Sequence, residues 1–200
     1  MPPLEVNGAR VYPGFLAPDE QQAMLNDIRA VAAAAPLFRP VTPSGRAMSV
    51  RMTSAGEYGW VSDRSGYRYA RRHPAGQAWP PIPETVLRVW QEVAGGARAP
   101  QCCLVNFYDA TARMGLHQDR DEADFEMPVV SISLGDDALF RVGGTTRGGG
   151  TRSVWLASGD VVVLAGPARL AYHGIDRLRA GSSTLLPDGG RINLTLRVVD

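Results

Sequence analysis

Lysine is missing from this chain of 200 residues: all 21 basic side chains are arginine, set against 20 acids for a net charge of +1. On its own the bias assigns no partner, although arginine is the better planar partner for phosphate and carboxylate. Cysteine is scarce as well. Cys102 and Cys103 stand side by side, where they cannot readily bridge each other, so there is no disulfide framework and a reducing compartment fits. No apolar run approaches the roughly 20 residues of a membrane helix, and the opening MPPLEVNGARVYPGF lacks the basic start and apolar core of a secretory signal. A cytoplasmic protein with no membrane partner is therefore expected. At 44% apolar content the length suffices for one full core and is short for two, so a single domain over residues 1–200 is expected.

Periodicity divides the chain into helices first and strands after. Over 18–35, PDEQQAMLNDIRAVAAAA puts Met24, Ile28, Val31 and Ala35 on one face, opens on proline and acids, and stops before Pro36. Over 83–94, PETVLRVWQEVA repeats the pattern with Val86, Leu87, Trp90 and Val93 and ends at Gly95 and Gly96. From about Gln101 the runs become short and β-branched: CCLVNFY, PVVSISL, ALFRVG, SVWLA, DVVVLAG, RLAYHG and INLTLRVV. Each is bounded by turn residues, the pattern of an antiparallel sandwich or jelly roll. The glycine-rich GGTTRGGGTR, 143–152, reads as a hairpin loop.

Within the β-rich half, MGLHQDRDE (114–122) sets His117 two residues before Asp119. A His-x-Asp arises by chance roughly 0.2 times in a chain of this composition, so the motif alone is weak. Support comes from His173 in YHG, at the end of a strand pattern. Two imidazoles and one carboxylate on separate strands are the ligand set of a facial triad, which holds Fe(II) and leaves positions open. Either histidine alone would read as a hydrogen-bonded residue at a strand end. The last strand, RINLTLR, places Arg191, Asn193, Thr195 and Arg197 on one face and Ile192, Leu194 and Leu196 on the other. An arginine pair aimed into a sandwich needs anions, since an unpaired buried charge costs several kcal/mol. A dicarboxylate ligand would satisfy both, and so would salt bridges to Asp160 or another acid.

These segments, together with VTPSGRAMSVRMTSAGEYGWVSDRSGYRY (41–69), CLVNFYDATARMGLHQDRDE (103–122), VVSISLG, GDVVV and RLAYHGI, are collinear over most of the chain. In that order they resemble the bacterial AlkB family, Fe(II)- and 2-oxoglutarate-dependent dioxygenases that repair alkylated DNA and RNA. The resemblance implies an α+β fold with a double-stranded β-helix (jelly-roll) core over about 101–200, N-terminal helices, and a nucleotide-recognition lid over about 41–75. It implies that His117, Asp119 and His173 bind iron and form the catalytic centre. Asn106, Tyr108, Arg191, Asn193 and Arg197 would bind 2-oxoglutarate, with O2 as the second cosubstrate. Trp60 would stack on the flipped base opposite His117, with Tyr67, Tyr69, Asp121 and Arg147 as further substrate contacts.

The implied reaction is oxidative demethylation of 1-methyladenine and 3-methylcytosine, with 2-oxoglutarate converted to succinate and CO2 and the methyl carbon released as formaldehyde. Both lesions are cations, so a carboxylate at Asp121 and a π-face favour them over neutral bases. The segment RSGYRYARR (64–72) interleaves four arginines with two tyrosines, a composition suited to a single-stranded backbone plus stacking; its plain alternative is a solvated hairpin. Single-stranded DNA is the expected partner, with RNA and duplex DNA as further ones, and a monomer is expected. His73 reads as a surface residue and the cysteines as packed. The alternative function is a related 2-oxoglutarate oxygenase acting on a protein or small molecule.

Overall fold

Alternation in the β-rich half becomes two antiparallel sheets that face each other across a cavity. A computed structural model describes residues 2–200. Its strands are β1 (Leu4–Val6), β2 (Ala9–Tyr12), β3 (Arg51–Gly56), β4 (Gly59–Asp63), β5 (Gly66–Ala70), β6 (Cys102–Tyr108) and β7 (Met114–His117), then β8 (Val129–Gly135), β9 (Asp137–Val142), β10 (Arg152–Leu156), β11 (Val161–Leu164), β12 (His173–Arg179) and β13 (Arg191–Arg197). Two α-helices, α1 (Pro18–Ala34) and α2 (Glu84–Val93), and a 3-10 turn at Gly166–Ala168 accompany them. The larger sheet has seven strands in the order β1-β2-β11-β8-β13-β6-β3, the smaller has four in the order β10-β9-β12-β7, and β4 and β5 form a separate hairpin. This is an α+β protein with a jelly-roll core.

The period-two pattern of β13 sets the layering. Ile192, Leu194 and Leu196 join Met24, Leu25, Ile28 and Val31 of α1 and Val86, Val89, Trp90 and Val93 of α2 in one core cluster. The odd-numbered residues of the same strand face the opposite way, into the space between the sheets. α1 begins with Pro18, has the Glu20 carboxylate accepting from the Ala17 amide at 2.8 Å, and stops at an extended Ala35 before Pro36. In α2 it is Val89, not Leu87, that is fully buried. No helix among the described residues is long and apolar enough to cross a membrane.

Two expectations need correction. Strands do not all follow the helices: five precede residue 101. β1 and β2 turn through Asn7 (φ 48°) and Gly8 (φ 80°), an Asn-Gly hairpin signal that the chain's short first strands obscured. RLAYHG is likewise not one strand: only its last two residues, His173 and Gly174, are extended into β12. Pro167 sits in a short 3-10 turn, Gly166–Ala168, where its fixed φ favours a turn over an extended ladder. His173 therefore begins β12 and does not end the strand before it. The glycine-rich segment does connect the paired strands β9 and β10, as its composition predicts.

Candidate active site

Sheet register brings the first two candidate ligands together. His173 at the start of β12 lies opposite His117 at the end of β7, with ring centroids 4.5 Å apart. Asp119 follows β7 by two residues. Its Oδ1 is 3.7 Å from His117 Nε2 and its Oδ2 is 3.6 Å from His173 Nε2. One ligand atom from each residue falls within 4.8 Å of the others. Each Nδ1 lies 2.9 Å from a main-chain carbonyl, Gly115 for His117 and Ala171 for His173. A proton on Nδ1 donates there, which leaves both Nε2 lone pairs turned toward Asp119.

Electrostatics suit this set to a cation. Burial pushes the His173 imidazole down to about 4, so the ring is neutral at physiological pH. Burial by itself would raise the Asp119 carboxyl, but Arg197 and the two imidazoles outweigh it and hold the group below the usual carboxylate range. Asp119 Oδ2 is buried with no hydrogen-bond partner, an arrangement a bound cation relieves. Two imidazoles and one carboxylate on converging segments are the donor set of an open Fe(II) site.

A cavity of about 390 Å³ extends from the triad, with Asn106 and Tyr108 from β6 and Arg191, Asn193, Thr195 and Arg197 from β13 on its floor. The two arginines differ in their partners. Arg191 is 0% exposed and bonds only Ser133 Oγ, at 2.8 Å; its Nε and Nη1 have no partner. Burial depresses its guanidinium to about 10. Asn106 Oδ1 is also buried and unpartnered. Arg197, by contrast, is already neutralised: Nη2 bonds Asp119 Oδ1 at 2.8 Å and Nε lies 3.4 Å from Glu122 Oε1. The expected dicarboxylate demand therefore falls on Arg191, while salt bridging, to Asp119 and Glu122 and not to Asp160, accounts for Arg197.

Trp60, Tyr67 and Asp121 line the same cavity. The Trp60 indole stacks on Tyr67 at 5.5 Å with 16° between planes and donates Nε1–H to Asp121 Oδ2 at 2.9 Å. Tyr67 is 49% exposed. Tyr69 and Arg147 are not brought to this cavity. Tyr69, one pleat further along β5, donates its hydroxyl to Glu122 and accepts from Arg197 Nη1 at 3.3 Å. Arg147 lines a neighbouring cleft with Leu116 and the glycine-rich loop. Among the arginines of 64–72, Arg68 pairs with Asp63 at 2.6 Å, Arg71 lies over the Tyr58 ring at 4.6 Å, and Arg72 donates to the Gly76 carbonyl at 2.9 Å.

His73 is a correction: it is buried, its Nε2 lying 2.8 Å from the Pro36 carbonyl and its Nδ1 accepting from the Ala75 amide at 3.0 Å. Phe38 and Trp79 flank the ring edge-on, a packing no local pattern announces. Two site residues also escaped sequence reasoning. Glu122 stood in the acidic run RDE without a role, and Arg169 was read as a strand residue; both are buried beside Asp119.

The 2OG-Fe(II) oxygenase superfamily profile matches residues 8–197. An alpha-ketoglutarate-dependent dioxygenase AlkB homolog of Caulobacter vibrioides is 54% identical over 193 residues, covering 96% of this chain and 88% of that protein. Alpha-ketoglutarate-dependent dioxygenase AlkB of Salmonella typhimurium is 42% identical over 181 residues, 88% of this chain and 83% of that protein. The solved structure of OsALKBH1 superposes with a TM-score of 0.80 at 29% identity, covering 98% of each chain.

Proposed function

The chain belongs to the AlkB family of 2OG-Fe(II) oxygenases, an Fe(II)- and 2-oxoglutarate-dependent dioxygenase, and we propose that it oxidatively demethylates 1-methyladenine and 3-methylcytosine in single-stranded DNA. In this reading it works in the cytoplasm as one catalytic domain, with about 41–75 as the nucleotide lid and about 101–200 as the oxidising core. RNA and duplex DNA are further substrates of the same site. The net reaction consumes O2 and 2-oxoglutarate and yields succinate, CO2, formaldehyde and the unmethylated base.

Bound iron with 2-oxoglutarate and O2 supplies the oxidising power that hydroxylates the N-methyl carbon. His117, Asp119 and His173 would hold the metal through two Nε2 atoms and one carboxylate. Arg191 would grip the distal carboxylate of 2-oxoglutarate through its unpartnered Nε and Nη1, a fork suited to a planar anion. Asn106, Tyr108 and Asn193 line the space between that arginine and the triad, where they would orient the cosubstrate. Arg197 would act on the cosubstrate side chiefly by fixing the Asp119 carboxylate. Trp60 offers a π-face at the cavity mouth, and Asp121 keeps Oδ1 open to a base amine while Oδ2 accepts from the indole. A cationic methylated base meets both a carboxylate and an aromatic face there, which a neutral base exploits less. Extrusion of the base costs least in single strands. Tyr67 and Arg147 would contact the flanking backbone, and Tyr69 would brace the lid against Glu122 and Arg197.

The observation that carries the proposal is the single cavity that joins an unsatisfied buried guanidinium, a metal triad and the Trp60–Asp121 pair. Mass spectrometry of a single-stranded oligonucleotide carrying one 1-methyladenine, incubated with protein, Fe(II), 2-oxoglutarate and air, tests it. Loss of one methylene mass only in the complete mixture is expected. Succinate formation with no mass loss would contradict the nucleic-acid substrate and point to a protein or small molecule.

A further inference from the structure

Arg169 has no place in the reaction described so far, yet its burial is extreme for an arginine, at 3% exposure. It caps the 3-10 turn Gly166–Ala168 and precedes His173 by four residues (173 − 169). Every guanidinium nitrogen has a partner. Nε donates to the Met127 carbonyl at 2.7 Å, Nη1 to the Asp119 carbonyl at 2.7 Å, and Nη2 to Glu122 Oε2 at 3.1 Å. All three acceptors belong to the segment that carries Asp119, whereas Arg169 belongs to the segment that presents His173. The ladder between β7 and β12 begins only at the pair His117 and His173, so side chains must join the two segments beyond it. Gln118 adds one such bond, donating to the Leu170 carbonyl at 2.6 Å.

We propose that Arg169 is a positioning residue for the metal centre: its planar guanidinium clips the Asp119 segment to the turn that presents His173, holding the three ligand atoms at binding separation before metal arrives. The inference rests on reading His117, Asp119 and His173 as the metal site. The grip is on the main-chain carbonyl of Asp119, which leaves the carboxylate to Arg197 and the metal. On its own side, Arg169 leads directly into the turn whose Ala171 amide bonds the Ala168 carbonyl at 3.0 Å. The Ala171 carbonyl in turn accepts from His173 Nδ1. One guanidinium thus ties the backbone of one ligand to the turn that carries the tautomer-setting carbonyl of another. Charge also balances, because Arg169 and Arg197 face Asp119 and Glu122 in one buried set. Lysine cannot substitute, since a compact ammonium does not reach three diverging acceptors.

The test is Mn(II) titration of the full chain, read by the electron paramagnetic resonance of free Mn(II), beside thermal melts of the same samples. Arg169→Lys is expected to bind Mn(II) about 10–100-fold more weakly, the range found when outer partners of metal ligands are removed. High Fe(II) should then restore its turnover, because the loss is one of affinity. Arg98→Met is the control; its guanidinium reaches the same segment from outside, at Asp124 Oδ2, 3.0 Å away, and Mn(II) binding should not change. A folded Arg169→Lys that binds Mn(II) as tightly as the natural chain would overturn the inference and leave Arg169 a purely structural residue. If Arg169→Lys does not fold, Arg169→Gln decides: weaker Mn(II) binding in the folded variant supports the clip, and unchanged binding overturns it. A natural chain that binds no Mn(II) would instead overturn the metal-site reading beneath it.

Discussion

The floor and the mouth of the cavity handle polar groups in opposite ways. On the floor, Arg191 Nε and Nη1, Asp119 Oδ2, Asn106 Oδ1 and Arg197 Nε are buried without hydrogen-bond partners, although Arg197 Nε lies 3.4 Å from Glu122 Oε1. At the mouth, by contrast, polar groups engage each other, the Trp60 indole donating to the Asp121 carboxylate. Leaving buried polar atoms unsatisfied costs roughly 1–3 kcal/mol each, so the floor is poised for bound groups that satisfy them. The mouth bears little such cost, and its contacts with water and with each other can be exchanged for a nucleotide. In the proposed function that difference suits the floor to one fixed cosubstrate and the mouth to nucleic acid of varied sequence.

The largest effect should come from the floor. Asp119→Ala or His117→Ala is expected to abolish turnover; iron-dependent activity surviving in either would break the triad assignment. Arg191→Met should weaken 2-oxoglutarate binding by about 2–5 kcal/mol, the usual cost of truncating one partner of a buried charge pair. Because it also removes an unpaired buried cation, the ligand-free variant should melt no lower than the natural chain. Added 2-oxoglutarate should raise the melting temperature of the natural chain alone, and equal shifts in both would contradict the role of Arg191. At the mouth, Trp60→Ala should cost about 1–3 kcal/mol in affinity for the methylated oligonucleotide and leave the 2-oxoglutarate KM unchanged. The smallest effect is expected at the two buried cysteines of β6. Burial pushes the Cys102 thiol up to about 12 and the Cys103 thiol up as well, so iodoacetamide at pH 8 should modify neither in the folded protein.

Legibility followed the same division. The floor was readable because it lies on regular strands: the period of two in RINLTLR places four polar residues on one face, and NFY puts Asn106 and Tyr108 on one face of β6. Pairing with acids could not be read from that period, so the difference between Arg191 and Arg197 emerged only with Asp119 and Glu122 in place. The mouth depended on resemblance, since neither Trp60 nor Tyr67 has a local pattern that says where its ring points. The turn before His173 was misread because RLAYHG has a strand's composition, whereas Pro167 and the contacts of Arg169 hold it as a turn. His73 reads as exposed because its burial depends on Phe38, far earlier in the chain, as well as on the nearer Trp79.

The central claim is that one cavity couples the cosubstrate on its floor to a methylated base at its mouth. Succinate and demethylated oligonucleotide quantified from the same mixtures, for the natural chain and for Trp60→Ala, test it most directly. Equal amounts of the two products are predicted for the natural chain, and for Trp60→Ala a demethylation yield that falls well below its succinate. If the natural chain forms succinate independently of the methylated base, or if Trp60→Ala demethylates as fully as the natural chain, the mouth does not hold the substrate and the account is wrong.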